Sequence, residues 1–304
     1  MFTGCGTALV TPFKSDLSLD EAAMRSLVKR QIDLGIDFLV PCGTTGESPT
    51  LTRAEHLRVV EITVDEARKA RRKVPVVGGA GGYNTAEVIE LGRELQHIGV
   101  DGILSVTPYY NKVTQDGLYQ HYKAIANAVP LPIIVYNVAG RTGVNVETPT
   151  LLRIAEIENI CGVKEASGNI SQMAGVCHHL LAKYGHRFNV LCGDDAITIP
   201  LAALGGRGLI SVASNQIPGE MTQLTQLAMA GNYDAARALQ RTWFPLMDVN
   251  FVESNPIPVK AAMAMMGLLE PVFRLPMCPP SAQNLSKIET VLKSVGLLRQ
   301  AVAV

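Results

Sequence analysis

Short apolar, β-branched runs recur along this chain, with amphipathic stretches between them. The runs at residues 7–10, 38–41, 74–78, 102–106, 133–136, 162–164, 190–192 and 208–211 read as buried strands. Successive runs mostly lie about 30 residues apart, the size of a strand-helix unit. Helical periodicity fills the gaps, at 20–34, 53–70, 85–96 and 118–128. Several of these stretches begin on plausible caps or first-turn acids: Ser18 before Asp20 and Glu21, Thr52 before Glu55, Asn84 or Thr85 before Glu87.

Eight such alternations in roughly 220 residues predict a parallel (β/α)8 TIM barrel. A doubly wound open sheet shares the local pattern. The count of eight favours the barrel, as does the lack of a dinucleotide fingerprint: Gly79-Ala80-Gly81-Gly82-Tyr83-Asn84 comes nearest but lacks the third glycine. From about Glu220 the periodicity is helical only, at 223–230, 233–247, 259–266 and 281–297, with Pro and Gly between. The expected organisation is a barrel over 1–219 and a C-terminal helical appendage over 220–304, with no low-complexity segment or linker.

Composition narrows the classes. Of 304 residues, 47% are hydrophobic and only 18% charged, enough apolar material for a sizeable core. Lys+Arg and Asp+Glu both number 27, so no basic excess advertises nucleic acid, and low net charge removes one barrier to self-association. Six cysteines are widely spaced without a Cys-x-x-Cys pair, which reads as small buried hydrophobes in a reducing compartment. The N-terminus lacks a signal-peptide pattern and no apolar stretch is long enough to span a bilayer, so the expected location is cytoplasmic, with no membrane partner.

Barrel enzymes carry their chemistry at the C-terminal ends of the strands. The sixth run ends Gly162-Val163-Lys164, delivering an amine to a strand tip where loss of water disfavours the ammonium form. A neutral amine there can attack a ketone and form a Schiff base. Other strand ends supply Cys42-Gly43-Thr44-Thr45-Gly46-Glu47-Ser48, whose backbone and hydroxyl donors can hold a carboxylate, and the aromatic pair Tyr109-Tyr110. Tyr136 ends the fifth run with its hydroxyl toward the mouth, and Arg141 follows between glycines as a possible carboxylate clamp. Strand seven ends at Gly193-Asp194-Asp195. No His-Glu-x-x-His pattern suggests a metal site, and no Gly-x-Ser-x-Gly elbow suggests serine hydrolysis. An amine nucleophile without cofactor motifs points to keto-acid chemistry of the class I aldolase type, leaving the second substrate open.

Four motifs together resemble the dihydrodipicolinate synthase family: Gly43-Thr44-Thr45-Gly46-Glu47-Ser48, Thr107-Pro108-Tyr109-Tyr110-Asn111-Lys112, Tyr136-Asn137-x-x-Gly140-Arg141-Thr142-Gly143, and Gly162-Val163-Lys164-Glu165-Ala166-Ser167-Gly168. The resemblance runs from the first strand through Glu253–Lys260. It implies that pyruvate forms a Schiff base with Lys164 and that the enamine condenses with L-aspartate-4-semialdehyde, giving 4-hydroxy-tetrahydrodipicolinate on the diaminopimelate route to lysine. By resemblance, Tyr136 is the proton donor and acceptor, linked through Thr44 to a Tyr110 contributed by a neighbouring subunit. Thr45 holds the pyruvate carboxylate, Arg141 receives that of the semialdehyde, and Gly193 and the backbone of Ile210 line the site. The family implies no cofactor, and a homotetramer built as a dimer of dimers. Ala139 replaces a usual proline, which would loosen the Arg141 loop. A lysine feedback site would match Ser48, Pro49, Arg53, His56, Tyr83, Glu87 and Tyr109. The bulk of Tyr83 and the charge of Arg53, where the family often has Asn and His, would oppose a cationic ligand. Sibling pyruvate-dependent aldolases and lyases would keep Lys164, Tyr136 and the threonine loop; Arg141 and the tyrosine pair favour the synthase. A binding protein that has lost catalysis, or an NAD-dependent enzyme, fits the residues less well.

Overall fold

A computed structural model describes residues 2–298. Its centre is a parallel sheet of eight strands: β1 (Gly4–Ala8), β2 (Phe38–Val40), β3 (Val77–Gly79), β4 (Gly102–Val106), β5 (Ile133–Asn137), β6 (Ile160–Glu165), β7 (Asn189–Cys192) and β8 (Gly208–Ser211). β1 pairs with both β2 and β8, and a parallel bridge from Leu39 to Val76 joins the β2 and β3 ends. The sheet therefore closes into the expected (β/α)8 barrel, which removes every free sheet edge.

The strands alternate between two apolar environments. Phe38, Val40, Leu104, Ile134, Leu191 and Ile210 fill the inside of the cylinder. Leu39, Ile103, Ile133, Val135, Val163 and Val190 face outward into the larger core under the helices. Burial on both faces explains why the strands are largely apolar. The ring is made by α1 (Glu21–Asp33), α2 (Arg53–Lys69), α3 (Thr85–Ile98), α4 (Gln115–Ala128), the single turn α5 (Ala139–Thr142), α6 (Thr148–Ile154), α7 (Ile170–Tyr184), α8 (Thr198–Ala203) and α9 (Pro218–Met229). Of the expected caps, Thr52 forms a full capping box with Glu55 and Asn84 caps α3. Ser18 does not cap α1: Asp20 accepts from the Ala23 N–H instead, and Ser18 turns back to Asp16.

Several boundaries differ from the sequence reading. β1 starts at Gly4 and β3 at Val77, because register with the neighbouring strand, not local hydrophobicity, fixes where a ladder begins. The expected domain break at 219/220 falls inside α9, which packs on β1 and β8 as the helix following the last strand. Three more helices follow it within the expected appendage: α10 (Tyr233–Val249), α11 (Ile257–Met265) and α12 (Ala282–Ser294). The C-terminal end of the expected second domain, residues 299–304, lies outside the described residues.

The appendage is tied to the barrel mouth by buried polar contacts. Lys260 on α11 and Glu47 in the loop after β2 form an ion pair whose side chains are both fully buried. The Lys260 Nζ also lies 4.5 Å from the centre of the Phe13 ring, and the Arg274 guanidinium lies 4.0 Å from the centre of the same ring. Arg274 in turn pairs with Glu55, holding that carboxyl at about 2. Five of the cysteines are buried, Cys278 is exposed, and all six are free thiols.

Candidate active site

The register of three neighbouring strands aims Lys164. Tyr136 on β5 pairs with Lys164 on β6, which pairs with Leu191 on β7. Cross-strand partners in a parallel sheet share a face, and Tyr136 and Leu191 belong to the inner core. Lys164 therefore points into the barrel. A register shift in the β5–β6 pairing, between the partners of Ile133 and Ile134, sets this parity: Cys161 is the extra residue that turns Lys164 inward. On the outer face of the same strand ends, Asn137 takes the Val146 N–H on Oδ1 and donates through Nδ2 to Asn145 and Glu165. The Glu165 carboxylate also accepts the Ser167 N–H at 2.8 Å. This network locks the strand tips that carry Tyr136 and Lys164.

Lys164 is 5% exposed, and its amine lies 4.2 Å from the centre of the Tyr136 ring. Among the described residues, no hydrogen bond or ion pair engages that amine. Gly193 makes its space: a Cβ there would stand 3.1 Å from Lys164 Cε and 2.6 Å from the Ala166 Cβ. A cavity of about 140 Å³ opens on the amine, bordered by Thr44, Thr45, Tyr136, Arg141, Lys164 and Gly193. Thr44, Tyr136, Val138 and Arg141 also border a second space of about 260 Å³, which runs past Tyr109 and Ser48. The structure thus brings six of the eight expected catalytic and substrate-binding residues to one cavity.

The other two lie elsewhere in the single chain. Tyr110 is 91% exposed, with φ of 71°. Ile210 packs inside the barrel, and Val212, two residues on, reaches the cavity wall. Arg141 does not lie in an open loop but on the turn α5, closed by Arg141 N–H to Val138 O and Gly143 N–H to Ala139 O, both at 2.9 Å. The turn begins at Ala139, where the sequence reading noted the missing proline. Arg141 Nη2 also donates to the main-chain oxygen of Asn255 at 3.3 Å.

The loop that carries Thr44 and Thr45 is held from several sides. The Thr11 hydroxyl donates to Gly46 O at 2.7 Å, Asn255 Nδ2 donates to Thr45 Oγ1 at 2.9 Å, and Lys260 grips Glu47. Glu47 itself sits at φ of 54°, a left-handed conformation that a non-glycine residue keeps only when its surroundings enforce it. Phe251 and Asn255, both missing from the sequence-based site, border the cavity from the segment between α10 and α11. The only sequence signal for Asn255 was the stretch Glu253–Lys260, which the resemblance included without assigning a role; Phe251 had none.

Of the residues matched to a lysine site, Ser48 and Tyr109 border the larger space, and Tyr83 packs edge-on against Tyr109 at 5.3 Å. Glu87 is exposed and accepts from Asn84. Arg53 is paired with Glu94 at 2.6 Å, so its charge is already answered. His56 is buried; its Nε2 faces Gly79 O at 2.9 Å and burial holds its ring down at about 4, so it is neutral near pH 7.

Three comparisons with known proteins bear on this arrangement. The family model described as "Dihydrodipicolinate synthetase family" matches residues 1–295. A 4-hydroxy-tetrahydrodipicolinate synthase from Koribacter versatilis is 54% identical, over 98% of this chain and 97% of its own. Among solved structures, a dihydrodipicolinate synthase from Thermotoga maritima is 43% identical with a TM-score of 0.94, covering 98% of this chain and 100% of the other. One from Acinetobacter baumannii, in complex with pyruvate, is 40% identical with a TM-score of 0.93, covering 98% and 100%.

Proposed function

The chain belongs to the dihydrodipicolinate synthetase family, and from that premise we propose how its own residues carry the family's condensation. The reaction joins pyruvate to L-aspartate-4-semialdehyde, giving 4-hydroxy-tetrahydrodipicolinate and water. Lys164 Nζ adds to the pyruvate ketone, and loss of water leaves an iminium. Its positive nitrogen draws electrons from the C3–H bond, so that proton leaves and an enamine forms. The enamine attacks the aldehyde carbon, and the aldehyde oxygen takes a proton to become the 4-hydroxyl. The semialdehyde's amine then displaces Lys164 from the imine carbon, closing the ring and restoring the free lysine.

Tyr136 is the group placed to move these protons, because its ring lies against the amine and its side chain borders the cavity. Thr45 receives the pyruvate carboxylate, and Arg141 on the rim receives the carboxylate of the second substrate. Tyr110, exposed in one chain, completes the relay through Thr44 in a neighbouring subunit. That makes a tight dimer the catalytic unit, paired into a tetramer in the cytoplasm. The observation that carries the reading is the unengaged, buried Lys164 amine facing a small cavity with a hydroxyl-rich loop and an arginine. The test is reduction with borohydride in the presence of pyruvate, followed by peptide mapping. A reduced adduct on Lys164 is expected; an untagged lysine would refute the assignment.

Lysine feedback is expected to be weak. Tyr83 fills space beside Tyr109 where a smaller residue would leave room, and His56 is buried and neutral. With Arg53 paired to Glu94, exclusion rests on the bulk of Tyr83 more than on charge. Initial rates should stay unchanged in millimolar L-lysine, whereas cooperative inhibition in that range would defeat this reading.

A further inference from the structure

Asn255 is bonded to both proposed carboxylate sites at once. The residue is 4% exposed. Its Nδ2 donates to Thr45 Oγ1 at 2.9 Å across 210 residues of sequence, and its main-chain oxygen accepts from Arg141 Nη2 at 3.3 Å across 114. A threonine hydroxyl has one proton to give and two lone pairs to fill. With the amide N–H occupying one lone pair, the Thr45 proton is left free to point elsewhere. Thr45 borders the Lys164 cavity, so that proton is available to a ligand there. An anionic ligand needs a donor and is repelled by a lone pair.

We propose that Asn255 is a positioning residue: it fixes the Thr45 hydroxyl as a donor toward a bound carboxylate and, through its backbone, holds Arg141 over the same cavity. This rests on the reading of Thr45 as the residue that receives the 2-oxo acid carboxylate. The appendage thereby sets substrate affinity although it supplies no reacting group.

The test is a double-mutant cycle read as KM for pyruvate. Asn255→Ala should raise KM about tenfold while kcat falls less, as expected for losing one hydrogen bond's worth of ordering at a charged ligand. Asn255→Asp keeps the shape but offers only acceptors, so the Thr45 proton turns to it and a lone pair meets the ligand. Its KM should rise further, by about a hundredfold. On a Thr45→Val background, Asn255→Ala should cost nothing more. An aspartate variant milder than the alanine variant would mean that Asn255 serves packing alone. Additive losses on the Thr45→Val background would overturn the proposal as well, and that arm stands even if the aspartate variant fails to fold. Borohydride tagging at saturating pyruvate keeps the two readings apart. The parent and every folded variant should be tagged on Lys164, and an untagged parent would fault the proposed function instead.

Discussion

Lys164→Ala should abolish turnover, lowering kcat on the order of ten-thousandfold or more, while the thermal midpoint stays within a few degrees of the parent. The two halves of this expectation have separate physical grounds. Without the ε-amine no iminium can form, and without the iminium there is no electron sink to acidify the pyruvate methyl group. Nothing else bordering the cavity is an amine that could replace it: the neighbours are hydroxyls, a guanidinium, the Asp194 carboxylate, the Asn255 amide, glycine and apolar walls. Stability should survive because the amine makes no hydrogen bond or ion pair among the described residues, and its stem borders open space. Tyr136→Phe should be intermediate, about a hundredfold to ten-thousandfold in kcat, since it removes a proton carrier and leaves the covalent step intact. Steady-state rates at saturating substrates, with melting curves for each variant, check both. Substantial residual turnover in Lys164→Ala would mean that the chemistry does not run through this amine.

The barrel and the buried lysine near the tip of its sixth strand were legible because local signals carry them. Continuous apolar runs of strand length mark strands buried on both faces, and a lysine closing such a run stands out against its surroundings. The strand ends, the Cys161 irregularity and the turn around Arg141 were not legible. Each depends on register with a neighbour or on hydrogen bonds closed in three dimensions. Asn255 was hidden for a related reason. Its partners are 210 and 114 residues away, and nothing in the local sequence distinguishes it from any asparagine before a proline. The same distance hid the meaning of Lys260, which reads as an ordinary helical lysine until the fold sets it against Glu47. Arg53 shows the opposite case: its charge was plain in the sequence, but its pairing with Glu94 was not, and that changes what it contributes.

Lys260→Met should destabilise the protein by about 3–5 kcal/mol, one of the larger losses available to a single substitution. The cause is the partner left behind. Glu47 and Lys260 each have fully buried side chains, so both charges have lost their water. Burial pushes the Glu47 carboxyl up, with Lys260 pulling it back down; the same burial pushes the Lys260 amine down, with Glu47 pulling it up. Each ion is tolerable only because the other is there, and Glu47 Oε2 already lacks a hydrogen-bond partner. Taking away the ammonium, whose Nζ lies 4.5 Å from the centre of the Phe13 ring and 5.4 Å from that of Phe273, leaves the Glu47 carboxylate buried without its partner, where it must either stay charged at high cost or take up a proton. Removing both charges is a different matter. Glu47→Leu combined with Lys260→Met exchanges an ion pair for apolar volume and should recover most of the loss, because mutual attraction in a buried pair only roughly offsets its desolvation. Urea unfolding of the two single variants and the double variant measures this directly. Losses that simply add in the double variant would show that the two side chains stabilise the protein independently, and that the pair is not the tie between the appendage and the loop carrying Thr44 and Thr45.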